Sequence, residues 1–233
     1  RSSDLPNKMK SRIKILISSL IVCAAAFLLV WAFTSGGVRL TDSGTIVFTD
    51  RENRSPELTL VNADNPVPDS WSVDLTTLSN GEQVATMIYP DLQEMFDDMR
   101  AQGIYPFVRA GYRSNEEQQR VLDERISAYE NEGYSHARAE ALALETVALP
   151  GTSEHELGLA VDINADESAG TDEEVYTWLA ENAYKYGFIQ RYPEDKTQIT
   201  GIDYEPWHYR YVGKAAAARI YDSGECLEEY LAS

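Results

Sequence analysis

The chain has 233 residues, with 38 acidic against 20 basic side chains and a formal net charge of −18 at pH 7. At roughly 100 to 200 residues per domain, that length holds one well-packed domain plus an anchor or stalk. The acidic excess argues against nucleic acid as a partner, because binding to phosphates is driven by basic side chains that neutralise them.

Basic residues gather at the start. Arg1, Lys8, Lys10, Arg12 and Lys14 stand against Asp4 alone in residues 1–14, which leaves 15 basic and 37 acidic side chains in the remaining 219. Ile15 to Phe33 follows as 19 uncharged residues broken only by Ser18 and Ser19. About 20 apolar residues cross the hydrocarbon as a helix, so 15–33 is predicted as a transmembrane anchor. A cleaved signal would have a shorter apolar region, about 7 to 15 residues, and Ala32-Phe33-Thr34 is a weak small-x-small site. The positive-inside rule keeps the tail 1–14 in the cytoplasm and sends the rest outside, which predicts a single-pass cell-membrane protein with an extracytoplasmic domain. A lone anchor on a stalk favours a monomer. Met9, followed by Lys-Ser-Arg, reads as a natural start, with residues 1–8 lying upstream of it. Cys23 reads as an ordinary membrane cysteine, and Cys226 stands alone beyond the span, so the domain must be stabilised by its core rather than by a disulfide.

Residues 34–57 are polar and rich in Gly, Ser, Thr and Asp, and are predicted as a stalk with at most one weak strand, Thr45 to Thr49. A folded domain, 58–233, is predicted to open with a strand at Leu58 to Val61, followed by a dense cluster of turn residues from Asn62 to Asp69. From Pro90 the apolar residues Leu92, Met95, Phe96 and Met99 recur at helical spacing, and Gly103 ends the helix. A strand over Ile104 to Ala110 leads to Gly111-Tyr112-Arg113-Ser114, where Ser114 caps a helix and Glu117 occupies the reciprocal capping-box position. Helices are predicted over 115–132 and 135–148. A turn-rich segment from Thr152 to Glu156 precedes a strand from Leu159 to Asn164. A helix over 173–186, strands at Phe188 to Tyr192 and Trp207 to Val212, and a last helix from Lys214 to Asp222 complete the order. Helices interspersed with short strands, without strict alternation, indicate an α+β fold with a small antiparallel sheet flanked by helices.

Two of the three histidines lie in compact polar clusters. Ser153-Glu-His155-Glu-Leu-Gly158-Leu-Ala-Val-Asp162 is one, and Glu205-Pro-Trp207-His208 is the other. Catalytic zinc takes three protein ligands from His and carboxylate and keeps a position for water. His155, Asp162 and His208 form such a set, Gly158 providing the tight turn between the first two. The His-Glu-x-x-His helix motif is absent, since Leu159 stands where its second histidine would fall. Glu205, three residues before His208, is placed as general base. Arg113, at a strand-to-helix junction, is placed to stabilise an oxyanion or bind a substrate carboxylate. His136 has no carboxylate at ligand spacing and reads as a surface histidine. Glu154 and Glu156 read as loop residues, and Trp207 and Tyr209 as core as readily as substrate contacts.

From Leu58 to Gly213 the chain resembles the VanY-type D-alanyl-D-alanine carboxypeptidases, a branch of bacterial zinc peptidases that includes L,D-carboxypeptidases. The resemblance rests on three motifs in order: Gly111-Tyr-Arg-Ser114 with Gln118; Ser153-x-His155-x-x-Gly158-x-Ala160-x-Asp162; and Glu205-Pro-Trp207-His208-Tyr-Arg210. It implies a single zinc-peptidase domain behind the anchor, acting on peptidoglycan stem peptides. His155, Asp162 and His208 are then the zinc ligands, Glu205 and Arg113 the catalytic pair, and Ser114, Gln118 and Ser153 the lining of the peptide site. The metal motif is shared by D,D- and L,D-enzymes. Lysostaphin-like endopeptidases use His-x-His at the third ligand, where this chain has Pro206 or Arg210. A dipeptidase stays open. A non-catalytic wall-binding module is disfavoured by the presence of Glu205.

Overall fold

The computed structural model describes residues 55–232 and, for their backbone, 38–40 and 46–48. The predicted tail 1–14 and transmembrane span 15–33 lie outside the described residues. Among the described residues no helix is long and apolar enough to cross a membrane. Within the predicted stalk, β1 (Val38–Leu40) pairs antiparallel with β2 (Ile46–Phe48), so the expected weak strand belongs to a hairpin.

Pro56–Ser233 forms a compact unit by itself. A short hairpin, β3 (Leu75–Thr77) and β4 (Gln83–Ala85), comes first. The helix α1 (Tyr89–Ala101) follows, with Leu92, Met95, Phe96 and Met99 buried as the spacing predicts. Each such side chain contributes roughly 1.5–3 kcal/mol when fully buried. Then come β5 (Pro106–Ala110), α2 (Asn115–Asn131), α3 (His136–Ala143), β6 (Ala160–Ala165), α4 (Asp172–Asn182), β7 (Phe188–Gln190), the single turn α5 (Thr197–Thr200), β8 (His208–Tyr211), α6 (Lys214–Ser223) and α7 (Leu227–Ala232).

Four strands form one antiparallel sheet in the order β5-β6-β8-β7. Side chains alternate between faces with period two. Val161 and Ile163 of β6 and Tyr209 and Tyr211 of β8 share the face that packs with α1 and α4 in the main core, together with Phe188, Val175, Trp178 and Leu179. The same alternation puts Asp162, His208 and Arg210 on the other face. A smaller core joins Ile189 and Val212 to Ala216, Ala217 and Ile220 of α6 and Leu227 of α7. Leu122 and Ile126 of α2 pack against Ala139 and Ala143 of α3 in a third.

The α+β architecture and antiparallel sheet are as expected, and several elements differ. The predicted strand at Leu58 to Val61 is a 3-10 turn, Pro56–Leu58, followed by chain outside any strand. Its carbonyls serve a side chain instead of a strand, because Arg210 Nη2 donates to Glu57 O at 3.0 Å and Thr59 O at 2.8 Å. The predicted 135–148 helix stops at Ala143. Beyond it the chain continues as turns, and Glu145 O accepts from Asp203 N at 2.9 Å and Ala148 O from Gln118 Nε2 at 2.8 Å, so tertiary donors hold this segment.

Candidate active site

The site begins with a close approach of backbones. Gly111 N donates to Glu82 Oε2 at 2.9 Å and Tyr112 N to Gln83 O at 2.6 Å, which draws the end of β5 against β4. A Cβ on Gly111 would sit 2.1 Å from Gln83 O, so only glycine fits. The next residues are thereby fixed. Arg113 N donates to His155 O at 3.2 Å, tying the first motif to the second.

His155 lies on a 3-10 turn, Glu154–Leu157, closed by Gly158 in the left-handed region at φ 72. This turn delivers the chain into β6, where Asp162 is the register partner of His208 on β8. Adjacent strands therefore hold a carboxylate and an imidazole side by side, and the turn folds a second imidazole over them. His155 Nε2 is 3.4 Å and His208 Nδ1 3.1 Å from Asp162 Oδ1. The two imidazoles meet edge to face with centroids 4.9 Å apart. One ligand atom from each of the three residues lies within 4.8 Å of the others, a spacing that suits one ion. His155 Nδ1 faces Gly111 O at 2.7 Å, so its proton is held there and Nε2 is free to ligate.

Electrostatics separates the groups. Burial pushes His155 down to about 4, with the Arg113 cation adding to the effect. His208 goes the other way: burial opposes its charge, but the hydrogen bond to Asp162 and the nearby Glu154 carboxylate raise it to about 9. Asp162 lies well below the usual carboxylate range; burial opposes this and the neighbouring imidazoles overcome it. A metal held by His155, Asp162 and His208 would take the place of a proton on His208 Nδ1, the atom that faces Asp162 at 3.1 Å.

Glu205 sits in the turn before β8, 6% exposed, with Oε2 3.8 Å from His208 Nδ1. Burial raises its carboxyl to about 7. Arg113 Nη2 reaches Asp162 Oδ2 at 3.3 Å, and its Nη1 donates to Gln118 Oε1 at 2.8 Å. Gln118, 1% exposed, is anchored in turn on Ala148 O. Ser153 is buried at the start of the turn that carries His155. Ser114 is engaged elsewhere: its side chain accepts from Glu117 N at 3.3 Å while Glu117 Oε2 accepts from Ser114 N at 2.8 Å, the predicted capping box. His136 is exposed and faces Glu130, away from the cluster's residues. Tyr209 is a core residue, and the Cys226 thiol is free and buried.

The family model described as VanY, D-alanyl-D-alanine carboxypeptidase, matches residues 81–214, more than half of the chain. The chain belongs to the VanY family. A D-alanyl-D-alanine carboxypeptidase of Enterococcus faecalis is 58% identical over 174 residues, 75% of this chain and 65% of that protein, so the match spans just under two thirds of that relative. A solved vancomycin-resistance D,D-pentapeptidase VanY in complex with Zn(II) is 56% identical, with TM-score 0.75 over 76% of this chain and 99% of that one. VanYB in complex with D-alanine-D-alanine is likewise 56% identical, with TM-score 0.75 over 77% and 99%.

Within this VanY fold one site residue is not the loop residue its sequence suggests. Glu154 is 1% exposed, and its Oε1 accepts from Arg191 Nε at 2.8 Å and Arg210 Nη1 at 2.7 Å. Burial opposes its charge, and the two guanidiniums still hold it far below the usual range. The signal was an arginine at the end of β7 and another within β8, an unusual residue for a strand face unless a buried acid awaits it.

Proposed function

We propose that the chain is a zinc-dependent D-alanyl-D-alanine carboxypeptidase that hydrolyses the C-terminal D-alanine from peptidoglycan stem peptides. The observation that carries this is the convergence of His155, Asp162 and His208 with Glu205 beside them, 3.8 Å from His208. Two histidines and a carboxylate are the donor set of a catalytic zinc. The fit is supported by the backbone carbonyl that orients His155. The 56% identical neighbours solved with Zn(II) and with D-alanine-D-alanine support the metal and the substrate class.

Bound zinc supplies Lewis acidity, polarising the scissile carbonyl and making water acidic enough to react near neutral pH. Glu205, its carboxyl raised to about 7, takes a proton from the attacking water. It returns that proton to the amine of the departing D-alanine as the amide C–N bond breaks. Arg113, aligned by Gln118, supplies a fixed cation for the developing oxyanion or the terminal carboxylate. Ser153 and Gln118 line the peptide site around it. Outside the domain, the basic tail 1–14 and the uncharged run 15–33 support a single-pass anchor with the domain 58–233 extracytoplasmic on a stalk, 34–57. Protease added to intact wall-stripped cells should then remove the domain, and full protection would contradict the topology.

D-Alanine release is the test of the activity. The zinc-loaded chain is incubated with a pentapeptide stem ending in D-Ala-D-Ala and with a tetrapeptide ending in a single D-Ala after a diamino acid. Release from the pentapeptide is expected. Release from the tetrapeptide alone would make it an L,D-carboxypeptidase, and release from neither would overturn the proposal.

A further inference from the structure

His208 has a buried glutamate at each edge of its ring, and only Glu205 has a part in the chemistry above. The Nδ1 edge faces Asp162 Oδ1 at 3.1 Å, while the Nε2 edge faces Glu154 Oε2 at 3.6 Å. His208 Nε2 and Glu154 Oε2 are both buried and lack a hydrogen-bond partner among the described residues. Buried polar atoms without partners are rare, and here two of them point at each other. We propose that Glu154 is a positioning residue for His208: Oε2 accepts the Nε2 proton of the imidazole and so leaves Nδ1 as the atom that binds the metal.

The surroundings of Glu154 leave its carboxylate no other orientation. Both arginines donate to Oε1, so a rotation that moved Oε1 toward His208 would break two charged hydrogen bonds in a buried site. Each arginine is itself clamped, with no side-chain exposure. Arg191 grips Glu228 on α7 through Nη1 at 2.9 Å and Nη2 at 2.6 Å. Arg210 donates to Glu57 O and Thr59 O. Two guanidiniums face two carboxylates, so the assembly is balanced in charge and holds Oε2 fixed without turning it into a competing ligand. Ligating histidines generally give their other ring proton to a carboxylate or carbonyl. On this reading the two histidines of the site do so in opposite senses: Gly111 O accepts from His155 Nδ1 at 2.7 Å and frees Nε2, and Glu154 Oε2, 3.6 Å away, is the acceptor that keeps the proton on His208 Nε2 and frees Nδ1.

Glu154→Gln separates this role from simple space filling. Both arginines need an acceptor at the Oε1 position, so the amide oxygen stays there and the NH₂ group stands where Oε2 was. It then faces Nε2 donor to donor, or the imidazole moves its proton to Nδ1, the metal-binding atom. Zinc affinity is measured by competition with a chelator on the 233-residue chain and on Glu154→Gln, and circular dichroism of the metal-free proteins reports folding. A folded variant that binds zinc roughly 10–100-fold more weakly is expected. A folded variant with unchanged affinity would overturn the inference. Nitrogen NMR of ¹⁵N-histidine in the unmodified, zinc-loaded chain gives an independent reading that stands even where the variant does not fold. His208 should carry its proton on Nε2 with Nδ1 on the metal, and the reverse would overturn the inference. The inference rests on the zinc reading above: an unmodified chain that takes up no zinc removes both, whereas zinc binding with an unchanged Glu154→Gln removes this one alone.

Discussion

Glu154 and Glu205 are the same residue type, both almost fully buried and both within 4 Å of His208, yet their carboxyls move in opposite directions. Around Glu154 burial is outweighed by Arg191 and Arg210, and the group is held as an anion. Around Glu205 burial is the largest influence and outweighs the pull of His208, no arginine among the described residues hydrogen-bonds it, and the carboxyl rises to about 7. The difference teaches that burial alone does not make a base. Burial that outweighs the pull of nearby cations leaves a carboxyl able to exchange its proton near neutral pH, and burial with two guanidiniums bonded directly to it converts it into a fixed acceptor.

The largest expected effect breaks the reactive side. Glu205→Gln should lower kcat by roughly 10²–10⁴-fold, the usual contribution of a general base, while zinc affinity stays within a few-fold of the unmodified chain. Steady-state D-alanine release and chelator competition check the two halves. On the structural side, Arg210→Met strips one guanidinium from Glu154 and removes the side-chain donor to three backbone carbonyls, those of Glu57, Thr59 and Tyr211. Breaking one partner of a buried ion pair costs about 3–5 kcal/mol, which denaturant unfolding of the metal-free chain should report.

A pH series sharpens the contrast. Glu205 has a folded pKa of about 7 against an ordinary 4.5, so its contribution to stability is fully present below pH 4.5 and is lost as pH rises through 7. The metal-free chain should therefore lose stability relative to Glu205→Gln across that window, by on the order of 3 kcal/mol. Glu154 has the opposite sign: its folded value is depressed, so its contribution is present above the ordinary carboxylate value and is lost as pH falls. Unfolding of both proteins at pH 4, 5.5, 7 and 8 checks the sign, and equal slopes would remove the distinction. The smallest effect concerns Arg113. Gln118→Ala removes one hydrogen bond of 2.8 Å that aligns it and should lower kcat/KM about fivefold, from a loss of roughly 1 kcal/mol.

Local patterns were legible in the sequence. The stripe Leu92, Met95, Phe96 and Met99 declares α1, and the Ser114–Glu117 box declares the start of α2, because each depends on residues within one or two turns. The convergence of His155, Asp162 and His208 was legible because their motifs sit on a turn and two neighbouring strands whose order is simple. What depends on distant partners was not. Leu58 to Val61 has the composition of a strand, but the carbonyl of Thr59, like that of Glu57 just before it, goes to Arg210, about 150 residues away in the chain. Glu154 reads as a loop acid until Arg191 and Arg210 arrive from β7 and β8. Strands of three residues, such as β3 and β4, carry too little alternation to announce themselves, and α7 spans only six residues after Gly224.

The division of labour between the two glutamates is tested most directly by ¹³C NMR titration of carboxyl-labelled glutamates in the metal-free chain, with Glu205→Gln and Glu154→Gln used to assign the two signals. Glu205 should titrate near 7, and Glu154 should stay ionised throughout the range in which the fold survives. A Glu205 signal that titrates at an ordinary 4.5, or a Glu154 signal that takes up a proton near neutral pH, would contradict it.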